Sequence, residues 1–123
     1  MKISNSEFQI MSVLWTEAPQ TVGQIIGRVQ KDSKWHPNTI KTMLIRLVQK
    51  GAVTREKDGK RYFYKPMLTR GNYVSAESDD FLDFLFSGRM GPLVAHFAER
   101  KKLSKQDIDE IEKILNLIKT END

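Results

Sequence analysis

Residues 37–51 read PNTIKTMLIRLVQKG, and their apolar residues recur at helical spacing. One face of this helix collects five apolar side chains, which are Ile40, Met43, Leu44, Leu47 and Val48. Pro37 suits the first helical position, where its missing N–H would be unpaired in any case. Gly51 suits the position just past the last turn, where a left-handed residue closes the helix. The sequence therefore predicts a helix of about four turns with a buried back.

The opposite face of this helix carries polar and basic side chains and no acid. Its members are Asn38, Thr39, Lys41, Thr42, Arg46 and Gln49. Such side chains can donate hydrogen bonds to base edges and phosphates, so the face is typical of a helix that lies in a DNA major groove. The alternative is an ordinary surface helix that happens to be basic, and the helix alone does not decide between the two.

The composition narrows the class of protein. A chain of 123 residues has room for one compact domain, or for a small domain with an oligomerisation arm. Its lack of cysteine excludes disulfides, thiolate metal ligands and thiol catalysis, and fits a reducing cytosol. The sequence shows neither a signal-peptide core nor an apolar run of membrane-spanning length. We therefore expect a cytoplasmic protein that does not enter a membrane.

The net charge of +4 hides an uneven distribution. Residues 1–66 hold 12 lysines and arginines against 5 acidic residues, whereas residues 67–123 hold 8 against 11. The basic first half predicts a polyanionic partner, and nucleic acid is the commonest one for a small protein. The acidic second half is expected to have a different task.

Two shorter helices are predicted before residue 37. Ser4 and Glu7 have the spacing of a capping box, and the helix that they open should end near Glu17, because a proline follows two positions later. Thr21 and Gln24 form a second capping signature, which predicts another short helix.

A β-hairpin is predicted after Gly51. Residues 52–55 and 61–65 have strand character, and the Asp-Gly pair at 58–59 favours a tight turn between them. Tyr62 and Tyr64 share one face of the second strand, which we assign to the core. The other face, assigned to solvent or DNA, carries Arg61, Phe63 and Lys65. Three helices followed by a hairpin predict a winged helix-turn-helix, with residues 37–50 as recognition helix and 57–61 as wing.

The second half of the sequence predicts three more helices. After a linker over residues 67–72, helical patterns begin at Tyr73, Pro92 and Ser104. Their apolar faces are too wide for an arm of about 50 residues to bury alone, so we expect a second copy of the chain to cover them. The candidate dimer contacts are Phe81, Leu85, Ile108, Ile111, Leu115 and Ile118. The alternative is that these side chains pack on the chain's own winged helix.

The sequence as a whole predicts a mostly α-helical protein with a small β-hairpin. Residues 1–68 are expected to form a winged helix-turn-helix DNA-binding domain, and residues 69–123 a three-helix dimerisation domain. The function that fits is a homodimeric DNA-binding transcriptional repressor. A winged helix that only binds other proteins is the alternative, although such a partner would not require a uniformly basic, acid-free face.

Four segments that cover nearly the whole chain are similar to a known family. They read SNSEFQIMSVLW, WHPNTIKTMLIRLVQKGAV, DGKRYFYKP and PLVAHFAERKKLSKQDIDEIEKIL. The chain resembles the BlaI/MecI family of bacterial transcriptional repressors. The resemblance implies a dimeric winged-helix repressor of a palindromic operator, commonly that of an antibiotic-resistance gene. It also implies DNA contacts from seven residues, which are Asn38, Thr39, Lys41, Thr42 and Arg46 on the recognition helix and Lys60 and Arg61 on the wing.

The resemblance further implies a switch by proteolysis. Members of the family can be cleaved in the C-terminal domain after a membrane receptor senses a β-lactam, and the matching bond is His96–Phe97. His96 stands in place of the usual asparagine, and Phe97 also fits a core role because it lies on an apolar helical face. The chain departs from the family at two further positions, where His36 stands in place of a serine helix cap and Ile45 in place of a threonine. With these changes DNA binding is still expected, but the operator sequence stays open. A copper-sensing branch with a cysteine cluster is disfavoured because cysteine is absent.

No enzymatic site, metal site or cofactor is predicted. His36 and His96 have no Cys, His or acid at ligand spacing. The acidic residues within 77–83 are interpreted as a solvated helix face, since no partner base accompanies them. The sequence also lacks a phosphate-binding glycine loop and a Ser/His/Asp arrangement. The expected partners are double-stranded operator DNA, a second copy of the chain and an inactivating protease.

Overall fold

A computed structural model describes residues 2–122, which form six helices and three strands. In chain order these are α1 (Asn5–Thr16), β1 (Gln20–Thr21), α2 (Val22–Val29), α3 (Pro37–Gln49), β2 (Val53–Asp58), β3 (Arg61–Pro66), α4 (Arg70–Phe86), α5 (Met90–Glu99) and α6 (Lys105–Asn122). The contacts divide the chain into two compact units on either side of the Ser75–Ala76 bond.

Side-chain caps set the starts of the first helices, as the sequence predicts. Ser4 and Glu7 form a complete capping box, with the Glu7 N–H donating to Ser4 Oγ over 3.1 Å and the Ser4 N–H donating to Glu7 Oε1 over 2.9 Å. Thr21 and Gln24 form the same box at the start of α2. At α3 the cap is His36, whose Nδ1 accepts from the Asn38 N–H over 3.1 Å. His36 therefore caps the helix with its side chain, as a serine can.

The sheet has one strand more than the predicted hairpin. Its order is β1-β3-β2, and β1 pairs antiparallel with β3 through Gln20 opposite Tyr64 and Thr21 opposite Phe63. A two-residue strand has too little alternation to be seen in a sequence. The predicted hairpin itself is confirmed, and Gly59 turns it with a φ of +65°.

The assignment of both hairpin tyrosines to the core was wrong for one of them. Tyr64 is 7% exposed, whereas Tyr62 is 41% exposed. Both lie on the same face of β3, but only the part of that face around Tyr64 belongs to the buried core. The outer part extends beyond the core and leaves the Tyr62 ring accessible.

The first unit holds all the side chains that the structure buries among the described residues. The core is formed by α1, α2 and α3 with the inner ends of β2 and β3, and consists of Ile3, Ile10, Met11, Leu14, Ile25, Val29, Ile40, Met43, Leu44, Leu47, Ala52, Val53, Tyr64 and Tyr73. The predicted apolar back of the recognition helix is thus confirmed, with Val48 partly buried.

Helix α4 starts earlier than predicted, because its first turn packs on α1. Thr69 caps it by accepting the Asn72 N–H over 3.1 Å, so the second half of the predicted linker is helical. The Tyr73 ring lies 5.8 Å from Phe8 and 6.0 Å from Trp15, measured between centroids. These contacts place the first turn of α4 in the first unit, seven residues beyond the predicted boundary at 68.

The second unit consists of the rest of α4, α5 and α6, and none of its described side chains is fully buried. Helix α5 begins at Met90, two residues before the predicted start, because proline is tolerated in a first turn. Helix α6 begins at the predicted capping box, where Asp107 and Ser104 exchange hydrogen bonds of 3.1 and 3.0 Å. Large apolar side chains are left exposed, and the extreme case is Phe84 at 87%.

Candidate nucleic-acid interface

The front of α3 presents all five of its predicted DNA contacts to solvent. These are Asn38, Thr39, Lys41, Thr42 and Arg46. Behind them, Ile40, Leu44 and Leu47 are at most 1% exposed, so the helix is fixed against the core by its back. A rigid helix with a free polar front can enter a groove without first having to be ordered.

Two side chains on the front have a chemistry that suits base edges. The Thr42 hydroxyl donates to the Asn38 carbonyl over 2.9 Å, which leaves its oxygen lone pairs and its methyl group for a partner. Ile45, three residues further on, is 50% exposed and offers an apolar contact of the kind that a thymine methyl group accepts. The front therefore exposes both polar and apolar groups.

A charged pair fixes the C-terminal end of α3 to the start of α1. The Lys50 ammonium lies 2.6 Å from Glu7 Oε1 and also donates to the Lys2 carbonyl over 3.1 Å. Burial raises the pKa of the Glu7 carboxyl, but the Lys50 ammonium and the hydrogen bonds from Ser4 outweigh it and bring the pKa below its ordinary value. Sequence reasoning gave Glu7 only a capping role, because its partner is 43 residues away.

The wing brings two further predicted contacts to its tip. Lys60 is the last residue of the turn and Arg61 is the first residue of β3, and both side chains are exposed. The Asp58–Gly59 turn ends the hairpin there, so both side chains project beyond the core. The recognition front and the wing tip both belong to the first unit.

The candidate dimer contacts all lie in the second unit. Five of them are between 43% and 55% exposed, which are Phe81, Leu85, Ile108, Leu115 and Ile118, and Ile111 is half-buried. Apolar side chains exposed in such numbers usually mark an interaction surface.

The candidate cleavage bond, His96–Phe97, lies within α5. His96 is exposed and its ring lies 5.4 Å from that of Phe97 and 5.8 Å from that of Phe86, measured between centroids. Phe97 is half-buried, so it takes part in packing the second unit. A protease would therefore have to unwind part of α5 to reach the bond.

Residues 2–122 contain no group of three or more His, Cys, Asp or Glu that could hold a metal ion. No helix among them is both long enough and apolar enough to cross a membrane.

Two relatives match almost the full length of the chain. The penicillinase repressor of Bacillus licheniformis is 34% identical over 114 residues, which cover 93% of this chain and 89% of that protein. The methicillin resistance regulatory protein MecI of Staphylococcus aureus strain N315 is 31% identical over 115 residues, with 94% of each chain covered.

A solved structure supports the fold of the first unit. In the solution structure of monomeric Bacillus licheniformis BlaI in complex with the blaP half-operator, the matched region is 36% identical to this chain with a TM-score of 0.53. The match covers 59% of this chain and 89% of that one. The predicted winged helix is thereby confirmed, and a family model described as penicillinase repressor matches residues 3–117. The chain belongs to the penicillinase repressor family.

Proposed function

We propose that this protein is a homodimeric transcriptional repressor that binds a palindromic operator of β-lactam-resistance genes. The observation that carries the proposal is the exposed, acid-free front of α3, whose opposite face is packed against the core. A relative of the same fold forms a complex with a half-operator, which supports the same use of this front. The protein would work in the cytoplasm without catalysis, cofactor or metal.

The DNA contacts would divide between two kinds of readout. Asn38, Thr39 and Thr42 can reach base edges from the front of α3. Arg46 and Lys41 carry charges suited to a guanine edge or a phosphate, and Lys60 and Arg61 would bind phosphates from the wing. Phosphate contacts fix the register on the duplex, whereas base contacts select the sequence.

The two halves of the chain would have different tasks, DNA binding and dimerisation. Residues 1–68 would bind DNA and residues 69–123 would hold two copies together, with Phe81, Leu85, Ile108, Ile111, Leu115 and Ile118 in the interface. Support comes from the absence of any fully buried side chain among residues 76–122 and from the exposure of their apolar residues. A closed two-fold dimer matches the two-fold symmetry of a palindromic site.

Substitutions on the recognition helix should change sequence discrimination, whereas substitutions on the wing should change the affinity for all DNA sequences. Thr42→Ala is expected to relax discrimination at one base pair by about 1–3 kcal/mol. Arg61→Ala should weaken binding to all sequences alike, because phosphates carry no sequence information. Binding to a randomised half-site measures both effects. An even loss across all sequences for Thr42→Ala would show that Thr42 does not read a base.

Cleavage at His96–Phe97 would be the means of induction. A cut there would separate α6 from the DNA-binding half and leave weakly bound monomers. The test is expression in the native host with and without a β-lactam, followed by mass measurement of the fragments. A cut at this bond on induction is the expected result. An intact chain, with or without derepression, would rule out this mechanism.

A further inference from the structure

The hairpin has two faces of different charge. Residues directly opposite each other in the antiparallel register share a face, so Lys57 lies beside Tyr62 and Arg55 beside Tyr64. Toward the core this face is closed by Val53 and Tyr64, which are buried. Beyond the core it carries Arg55, Lys57 and Tyr62, all exposed, and no acid. We call these three residues the cationic wing face.

The reverse face of the hairpin is electrically balanced. Its exposed charges are Glu56, Asp58, Arg61 and Lys65, two of each sign. Lys65 Nζ lies 3.8 Å from Glu56 Oε1, so part of the positive charge is already paired. A polyanion that lies along the strands of the hairpin, below the tip formed by Lys60 and Arg61, would therefore be attracted more strongly to the cationic wing face than to its reverse.

An aromatic ring holds the two cations of this face in place. The Arg55 guanidinium carbon lies 4.7 Å from the centroid of the Tyr62 ring, and the Lys57 ammonium lies 6.0 Å from it. Both distances are within the range of cation–π attraction. Long basic side chains otherwise lose much rotamer freedom on binding, and a ring that orients them beforehand reduces that cost. The exposed Tyr62 ring can therefore orient both cations for a ligand.

We propose that the cationic wing face binds the phosphate backbone of duplex DNA, with Arg55 and Lys57 as phosphate contacts and Tyr62 as their positioning residue. The proposal rests on the proposed function. It adds DNA contacts on the face of the hairpin that the sequence pattern assigns to the core. Charge complementarity identifies a polyanion as the ligand of this face. Among the described residues, neither Arg55 nor Lys57 forms a salt bridge with an acid, so a cationic partner would be repelled.

The test is the salt dependence of binding to a short random-sequence duplex, measured for the full chain. Arg55→Gln and Lys57→Gln should each reduce the slope of log affinity against log salt by about 0.9, the value for one phosphate contact. Lys65→Gln is the matched control, since it removes the same charge from the reverse face and should leave the slope unchanged. The proposal would be overturned if the slopes fell equally in all three variants, or if Arg55→Gln and Lys57→Gln kept the wild-type slope.

A second comparison separates positioning from structural support. Tyr62→Phe keeps the ring and should bind like the wild type, whereas Tyr62→Leu should lose about two- to fivefold in affinity, the range of an exposed cation–π contact. The loss should disappear when Arg55 and Lys57 are already Gln, and thermal unfolding should not change. A loss that persists in that background would contradict the positioning role. If the wild type binds duplex DNA without salt dependence, the proposed function fails together with this inference.

Discussion

A chain that carries Leu115→Asp and Ile118→Asp is expected to sediment as a monomer and to lose operator affinity by roughly a hundredfold or more. Both side chains are about half exposed in the single chain, at 49% and 47%, so the monomer should still fold. In a dimer interface each would bury an unpaired carboxylate, which is strongly unfavourable. Sedimentation and operator titration measure the two effects separately.

The matched control uses the other side of the same helix. Asn116→Asp with Thr120→Asp adds the same charge to α6, but on the polar side, where both residues are exposed. This variant should remain dimeric and bind the operator like the wild type. If both double variants dissociated alike, total charge rather than the apolar stripe would control assembly, and the assignment of Leu115 and Ile118 to the interface would be wrong.

Lys50→Met is expected to destabilise the first unit by about 2 kcal/mol at neutral pH, because it leaves the Glu7 carboxylate buried without its partner. Glu7 is 3% exposed, but the Lys50 side chain is 37% exposed, so the cost should fall below the roughly 3–5 kcal/mol of a fully buried pair. Glu7→Gln should cost less, since Gln can keep the capping box and Lys50 can reach water. Denaturant unfolding measures both.

The pH dependence of unfolding gives this pair a second signature. The pKa of Glu7 is lowered in the folded protein, so the stability that the ionised pair contributes is present above the unfolded pKa and is lost as the pH falls through the folded one. Without Lys50, only the hydrogen bonds from Ser4 oppose the effect of burial on the carboxyl, so the pKa of Glu7 shifts upward from its value in the wild type. The gap in stability between wild type and Lys50→Met should therefore narrow in acid. A gap that is constant with pH would mean that the pair does not interact in solution.

The sequence was sufficient for the parts of the fold that depend on local signals. Caps, helical spacing and the Asp-Gly turn act within a few residues, so α1, α2, α3, the hairpin and the start of α6 were predicted close to their observed limits. The family and the winged helix were likewise predicted and are confirmed by the relatives. For the DNA contacts, the sequence identified side chains that the structure leaves exposed.

What the sequence did not show depends on contacts between distant residues. The Glu7–Lys50 pair and the hydrogen bond of 2.9 Å from Trp15 Nε1 to the Leu68 carbonyl join residues 43 and 53 positions apart. The exposure of Tyr62 depends on where the hairpin leaves the core, which alternation along a strand does not encode. The first turn of α4 packs on α1 for a similar reason, through Tyr73.

Selection of bound duplexes from a randomised pool by the full-length wild-type protein tests the central claim most directly. A palindromic consensus is predicted, with half-site centres about one helical turn apart, roughly 34–36 Å, because two recognition helices would enter successive major grooves on one side of the duplex. Binding to this consensus should weaken steeply as salt rises. A pool that shows no enrichment after repeated rounds would contradict sequence-specific binding and favour a protein-interaction role for the winged helix.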